Sequence, residues 1–168
     1  FDQVIFPTDK VEIQSIGKIR RVQIIGPIRS DSFRNLFWLQ EEQVLPESLK
    51  KVPKANSIDI ETWRLKQGLP FGKGEINGKT NPFELGLSNI TSTTKGCYLG
   101  QEAIARLSRN KVLNKQLRLF HAINEIPIGQ KLVDNIDETR SSQQDAGVIT
   151  SITKDPLSGI HLGLVMVK

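Results

Sequence analysis

The chain has 168 residues, 38% hydrophobic and 24% charged, a balance that supports a packed core and excludes wholesale disorder. Its 23 lysines and arginines outnumber 18 acids for a formal charge of +5, a mild basic bias compatible with an anionic ligand or with RNA. One cysteine, Cys97, excludes a disulfide framework and an intrachain four-cysteine zinc or iron–sulfur site, and two histidines leave little for a histidine metal cluster.

The chain opens FDQVIFPTDK without an initiator methionine, and its only methionine is Met166. The opening residues do not read as a signal peptide, and no run reaches the ~20 apolar residues of a membrane span. The expectation is a chain processed or cut from a longer protein, with no membrane partner. Val11, Ile13 and Ser15 alternate with Glu12 and Gln14, and Gly17 leads into a β-branched run over 19–25, which predicts a β-hairpin. Ser30 or Asp31 then offers a cap for a short helix carrying Phe33, Leu36, Phe37 and Gln40. Residues 41–56, with Pro46 and Pro53, read as a solvated connection holding at most one helical turn.

Residues 57–67 fit neither period well, although Ser57 is a possible cap and Gly68 a possible stop. The glycine-rich stretch 68–78 lacks the Gly-Lys-Ser/Thr ending of a phosphate loop and reads as a plain loop. Its Asn77-Gly78 pair is the strongest tight-turn signal in the chain. Residues 101–109 predict a helix, with Glu102 in the first turn and Arg106 and Arg109 late. Four strands are expected at 117–122, 130–133, 146–153 and 161–167. Trp38 and Trp63 are assigned to the core or to domain contacts.

The octapeptide KGCYLGQE, from Lys95 to Glu102, concentrates the chemistry. Gly96 and Gly100 permit close backbone approach or positive φ around Cys97. The thiol stands two residues after Lys95 and just before a helix start, and both features favour thiolate. Lys95 is therefore grouped with Cys97 as the reactive pair. Tyr98 offers a stacking face, and Gln101 and Glu102 offer polar edges. Against this, a lone cysteine is most often buried and inert. The run Arg106, Arg109, Lys111, Lys115 and Arg118 is read first as a solvated face, with direct tRNA binding as the alternative.

The octapeptide followed by AIARL resembles the signature of the YgfZ-type folate-binding proteins, relatives of the glycine cleavage T-protein, an aminomethyltransferase. RLKQGLP from Arg64, NPFELGL from Asn81, FPTDKVEI from Phe6 and GVITS from Gly147 are similar to further segments of that family. T-proteins carry a carboxylate where this chain has Lys66, which cannot accept the pterin's N–H donors, and show arginine and acid where Gly96 and Cys97 stand. These departures favour the YgfZ-type branch over aminomethyl transfer. The resemblance implies an α+β fold: part of a T-protein-like folate-binding domain over 1–112, then a small C-terminal β-barrel over 113–168. It further implies tetrahydrofolate or a derivative as ligand, with Arg64, Lys66, Glu75, Glu84, Tyr98, Gln101 and Glu102 as candidate contacts. The implied role is auxiliary, in iron–sulfur cluster assembly or repair with iron–sulfur proteins or assembly factors as partners. The resemblance implies indirect action on tRNA-modifying enzymes and leaves open whether the chain is an enzyme. The implied compartment is cytoplasmic, or organellar in a eukaryote; a tetrahydrofolate-dependent aminomethyltransferase is the enzyme alternative.

Overall fold

A computed structural model describes residues 14–15, 17–25, 36–110, 113–134 and 144–168. The chain divides into two compact units, Phe1–Lys54 and Ala55–Lys168. Within the second unit the helical segments at 57–66 and 72–75 pack on the C-terminal strands.

In the first unit, strand β1 (Ile19–Gln23) pairs antiparallel with β2 (Leu36–Gln40), Ile19 opposite Gln40 and Gln23 opposite Leu36. The expected helix over Leu36–Gln40 is therefore a strand. Leu-Phe-Trp-Leu is a short apolar run whose bulky side chains suit a pleated ribbon, and five residues are too few to hold a helix without strong caps. Trp38 stands directly opposite Arg21, whose guanidinium lies 6.0 Å from the indole centroid. At 59% exposure Trp38 is not a core residue of this unit. The expected hairpin partner at Val11 and Ile13, and the caps at Ser30 and Asp31, lie outside the described residues. One helical turn, α1 (Glu47–Lys50), follows in the connection that was expected to hold at most that.

The second unit begins with α2 (Ser57–Lys66). Its cap is Asn56 rather than Ser57: Asn56 Oδ1 accepts from the Asp59 N–H at 2.9 Å and Asp59 Oδ2 accepts from the Asn56 N–H at 3.0 Å. This reciprocal box satisfies two donors that a helix start otherwise leaves open. The helix ends in a Schellman motif, with the Gly68 N–H on the Leu65 carbonyl, the Leu69 N–H on the Arg64 carbonyl, and Gly68 at φ +63°. The short α3 (Gly72–Glu75) lies against the sheet, close enough that a Cβ on Gly74 would stand 3.1 Å from the Thr150 carbonyl oxygen. Helix α4 (Gln101–Asn110) matches its expected span.

Strands β3 (Gln116–Ala122), β4 (Lys131–Asp134), β5 (Gln144–Lys154) and β6 (His161–Val167) form an antiparallel sheet in the order β3-β6-β5-β4. All four were legible as strands, but no closed barrel forms among the described residues: β3 and β4 are edges. Four strands enclose too little space to close around side chains, so the sheet instead buries one face under helix and loop. Leu117, Leu162 and Leu164 on that face pack with Leu65 of α2 and with Leu85, flanked by Leu87 and Met166. A bulge in β5 at Thr150 breaks the ladder between Ile149 and Ser151. The result is a mixed α+β fold, with helices laid on antiparallel sheet.

Candidate functional site

The candidate residues separate into two groups. The first lies where α2 and α3 meet β5. Glu75 is fully buried, and each of its oxygens accepts two hydrogen bonds. Oε2 takes the Phe71 N–H at 2.5 Å and Arg64 Nη1 at 3.2 Å, while Oε1 takes Thr150 Oγ1 at 3.0 Å and the hydroxyl of Ser151. A carboxylate has about four acceptor positions, so this one is saturated by its own chain. The β5 bulge makes it possible: the extra residue turns Thr150 and Ser151 together toward Glu75.

Arg64, 8% exposed, also grips Glu61 through Nε at 2.8 Å and Nη2 at 2.5 Å, and donates to the Leu69 carbonyl at 2.6 Å. The hydrogen-bonded Glu61 carboxylate raises the guanidinium's already high pKa against the opposing effect of burial, so Arg64 is charged at any working pH. Lys66 reaches the buried Asp155 at 2.8 Å, and Asp155 also accepts from the Leu157 N–H at 3.1 Å and the Ser158 hydroxyl at 3.0 Å. The Lys66 ammonium, then these further donors, hold the Asp155 carboxyl below the usual carboxylate range. Glu84 is buried in a turn of its own: its Oε2 accepts the Asn81 N–H at 3.0 Å, Asn81 Oδ1 accepts the Glu84 N–H at 3.0 Å, and its carbonyl takes the Leu117 N–H at 2.7 Å. Arg64, Lys66, Glu75 and Glu84 thus join α2, α3 and the Asn81 turn to the sheet.

The second group is the octapeptide. Cys97 is exposed and unpaired. The loop before it is shaped by Ser92, whose Oγ accepts the Lys95 N–H at 3.1 Å and whose carbonyl accepts the Tyr98 hydroxyl at 3.1 Å. Lys95 Nζ lies 4.6 Å over the Tyr98 ring, a cation–π contact that occupies one face of the expected stacking surface. Gly100 takes φ +86° and turns the chain into α4, whereas Gly96 is not among the positive-φ glycines. Its role is openness: nothing lies within 4 Å of where its Cβ would be. Gln101 and Glu102, with Ala105, Arg106 and Arg109, line an open concavity of about 590 Å³ along α4. The side chains of Gln101 and Glu102 carry no hydrogen bond among the described residues.

No hydrogen bond or ion pair joins the two groups among the described residues. The basic run is also dispersed: Arg106 and Arg109 are on α4, Lys115 donates to the Lys79 carbonyl at 3.0 Å, Arg118 is exposed on β3, and Lys111 lies outside the described residues. Thr150, Ser151 and Asp155 were missed from sequence because hydroxyls in a strand and an acid in a turn carry no local mark of a distant partner.

No family model matches the chain. A stretch of 51 residues, 30% of this chain, is 47% identical to a chloroplastic protein of Arabidopsis thaliana whose name describes it as a transferase, covering 12% of that protein. A stretch of 62 residues, 35% of this chain, is 40% identical to the mitochondrial iron–sulfur cluster assembly factor IBA57 of Mus musculus, covering 17% of it. The chain is therefore similar, over about a third of its length and under a fifth of theirs, to two organellar proteins, one of them an iron–sulfur cluster assembly factor.

Proposed function

We propose that this chain is part of an auxiliary protein of iron–sulfur cluster assembly or repair, in which the Cys97 loop meets an iron–sulfur partner. The similarity to a mitochondrial assembly factor supports the reading, and the exposed, unpaired Cys97 at the entrance to α4 carries it. The cluster is the cargo. It normally takes four protein ligands, so Cys97 supplies one thiolate to a cluster shared with a partner. Lys95, held over Tyr98, keeps a cation on the same loop as that thiol and favours an acidic partner surface. The clients include enzymes that modify tRNA, so the effect on tRNA is indirect. No helix among the described residues is long and apolar enough to cross a membrane, and in a eukaryote the proposed compartment is an organelle, as for the relatives.

The residues assigned to folate fit it unequally. Glu75 has no free acceptor and Lys66 is bound to Asp155, so neither suits a pterin. A reduced folate stays in the proposal only as a ligand of the second face of Tyr98 and of Gln101 and Glu102, whose side chains carry no hydrogen bond among the described residues. The decisive experiment follows the return of iron–sulfur absorbance to an apo-client mixed with a loaded scaffold protein. Adding this chain should accelerate transfer, and Cys97→Ser should abolish the gain; equal acceleration by both would end the proposal. The similarity to a protein named as a transferase favours one second reading, a folate-dependent one-carbon transferase. Methylene-tetrahydrofolate formed from an aminomethyl donor would establish it instead.

A further inference from the structure

The turn after α3 holds the one asparagine in the chain that precedes a glycine, Asn77-Gly78. Both residues are exposed, Gly78 takes φ +75°, and nothing lies within 4 Å of where its Cβ would stand. Asn77 Oδ1 accepts the Lys79 N–H at 2.9 Å. That bond folds the side chain forward, and the ring it closes contains both Asn77 Cγ and the Gly78 backbone nitrogen. The same N–H points at the oxygen on which charge develops when Cγ is attacked, the placement that stabilises an oxyanion. Without a Cβ on Gly78, no side chain shields the attacking nitrogen.

We propose that Asn77 is a site of self-catalysed deamidation. The Gly78 nitrogen gives its proton to solvent base and forms a bond to Asn77 Cγ, and the carbonyl electron pair moves onto Oδ1 beneath the Lys79 N–H. The tetrahedral adduct collapses, breaks the Cγ–Nδ2 bond and releases ammonia, leaving a cyclic imide. Water adds to either imide carbonyl and opens the ring to aspartate or isoaspartate. Only water is consumed, and nothing is oxidised or reduced. The product carries a new carboxylate next to Lys79, whose carbonyl holds Lys115, and just before Thr80, whose hydroxyl donates to the Glu75 carbonyl at 2.8 Å. The isoaspartyl form also lengthens the backbone between α3 and these anchors.

The test incubates the folded chain in mildly alkaline buffer, then digests it with trypsin. Cleavage after Lys73 and Lys79 isolates residues 74–79, with Asn77 as their only asparagine. The expected result is progressive conversion of this peptide to its aspartyl and isoaspartyl forms, with label from an isoaspartyl methyltransferase confined to it. The rate in the folded chain should equal or exceed that of the synthetic 74–79 peptide. Asn77→Gln should abolish the conversion. Lys79→Pro, which removes the donor to Oδ1, should slow it several-fold, read by fragment sequencing at position 77 of the longer 74–95 peptide this variant yields, with a thermal melt verifying that the variant is folded. An unlabelled chain, label spread over other asparagines, or a folded chain slower than the peptide would overturn the proposal.

Discussion

Replacing Glu75 by alanine removes a buried carboxylate on which α2, α3 and β5 converge. Four groups lose a partner. Arg64 keeps its bidentate grip on Glu61 but loses its more deeply buried partner, and breaking a buried ion pair from one side costs about 3–5 kcal/mol. The retained Glu61 places this variant near the lower end. The buried Ser151 hydroxyl loses its acceptor at about 1–3 kcal/mol, whereas the N–H of the exposed Phe71 turns to water at little cost. Thr150 suffers least, because the Leu164 carbonyl at 3.0 Å remains. Allowing for local rearrangement, a total near ~4 kcal/mol is a large share of the ~5–15 kcal/mol that holds a domain folded. With a urea slope near ~2 kcal/mol per molar, the unfolding midpoint should fall by about 2 M. Urea titrations followed by circular dichroism measure this. Glu75→Gln keeps the shape and one acceptor and should lose only about 1–2 kcal/mol. An alanine variant within about 0.5 kcal/mol of the parent would refute the view that this carboxylate pins the helices to the sheet.

Lys66→Ala should destabilise the second unit by about 1 kcal/mol, since its ammonium is partly exposed, and should blunt the protein's sensitivity to acid. Asp155 has a lowered pKa in the folded state, so its contribution is fully present above the unfolded value of about 3.9 and is lost as pH falls through the lower folded value. Stability measured from neutral to strongly acid pH should therefore drop less steeply in Lys66→Ala; parallel curves would contradict the assignment. Thr62 is 6% exposed and its hydroxyl has no hydrogen-bond partner among the described residues, so Thr62→Val should raise stability by about 1 kcal/mol in thermal melts, and a loss would show that the hydroxyl is satisfied. A Cβ on Gly163 would collide with the Phe120 ring and the Ser151 carbonyl. Gly163→Ala should cost about 1–3 kcal/mol in the same melts, and Phe120→Leu should relieve part of it.

Local pattern carried a good deal of this molecule. The four C-terminal strands and α4 lie almost where alternation and helical spacing put them, because burial of one face imposes a period that each segment expresses alone. The Asn77-Gly78 turn was equally legible, since the φ that Gly78 adopts is chemically marked in the residue itself. The strand at Leu36–Gln40 was not: a five-residue apolar run satisfies either period, and only pairing with Ile19–Gln23 decides it.

For the site, sequence alone determined the octapeptide and the order of its residues, which leaves Cys97 and Tyr98 in a short loop at the start of α4. Tertiary structure decided what the charged residues do. Arg64, Lys66, Glu75 and Glu84 present the same charges whether they face a ligand or one another, and burial cannot be read from one segment. Glu75 meets Thr150 from 75 residues away because a bulge in β5 turns two hydroxyls toward it. Lys66 meets Asp155 across the gap between α2 and the end of β5. Charge and spacing are properties of the chain, but desolvation and the supply of donors exist only once distant segments are packed together.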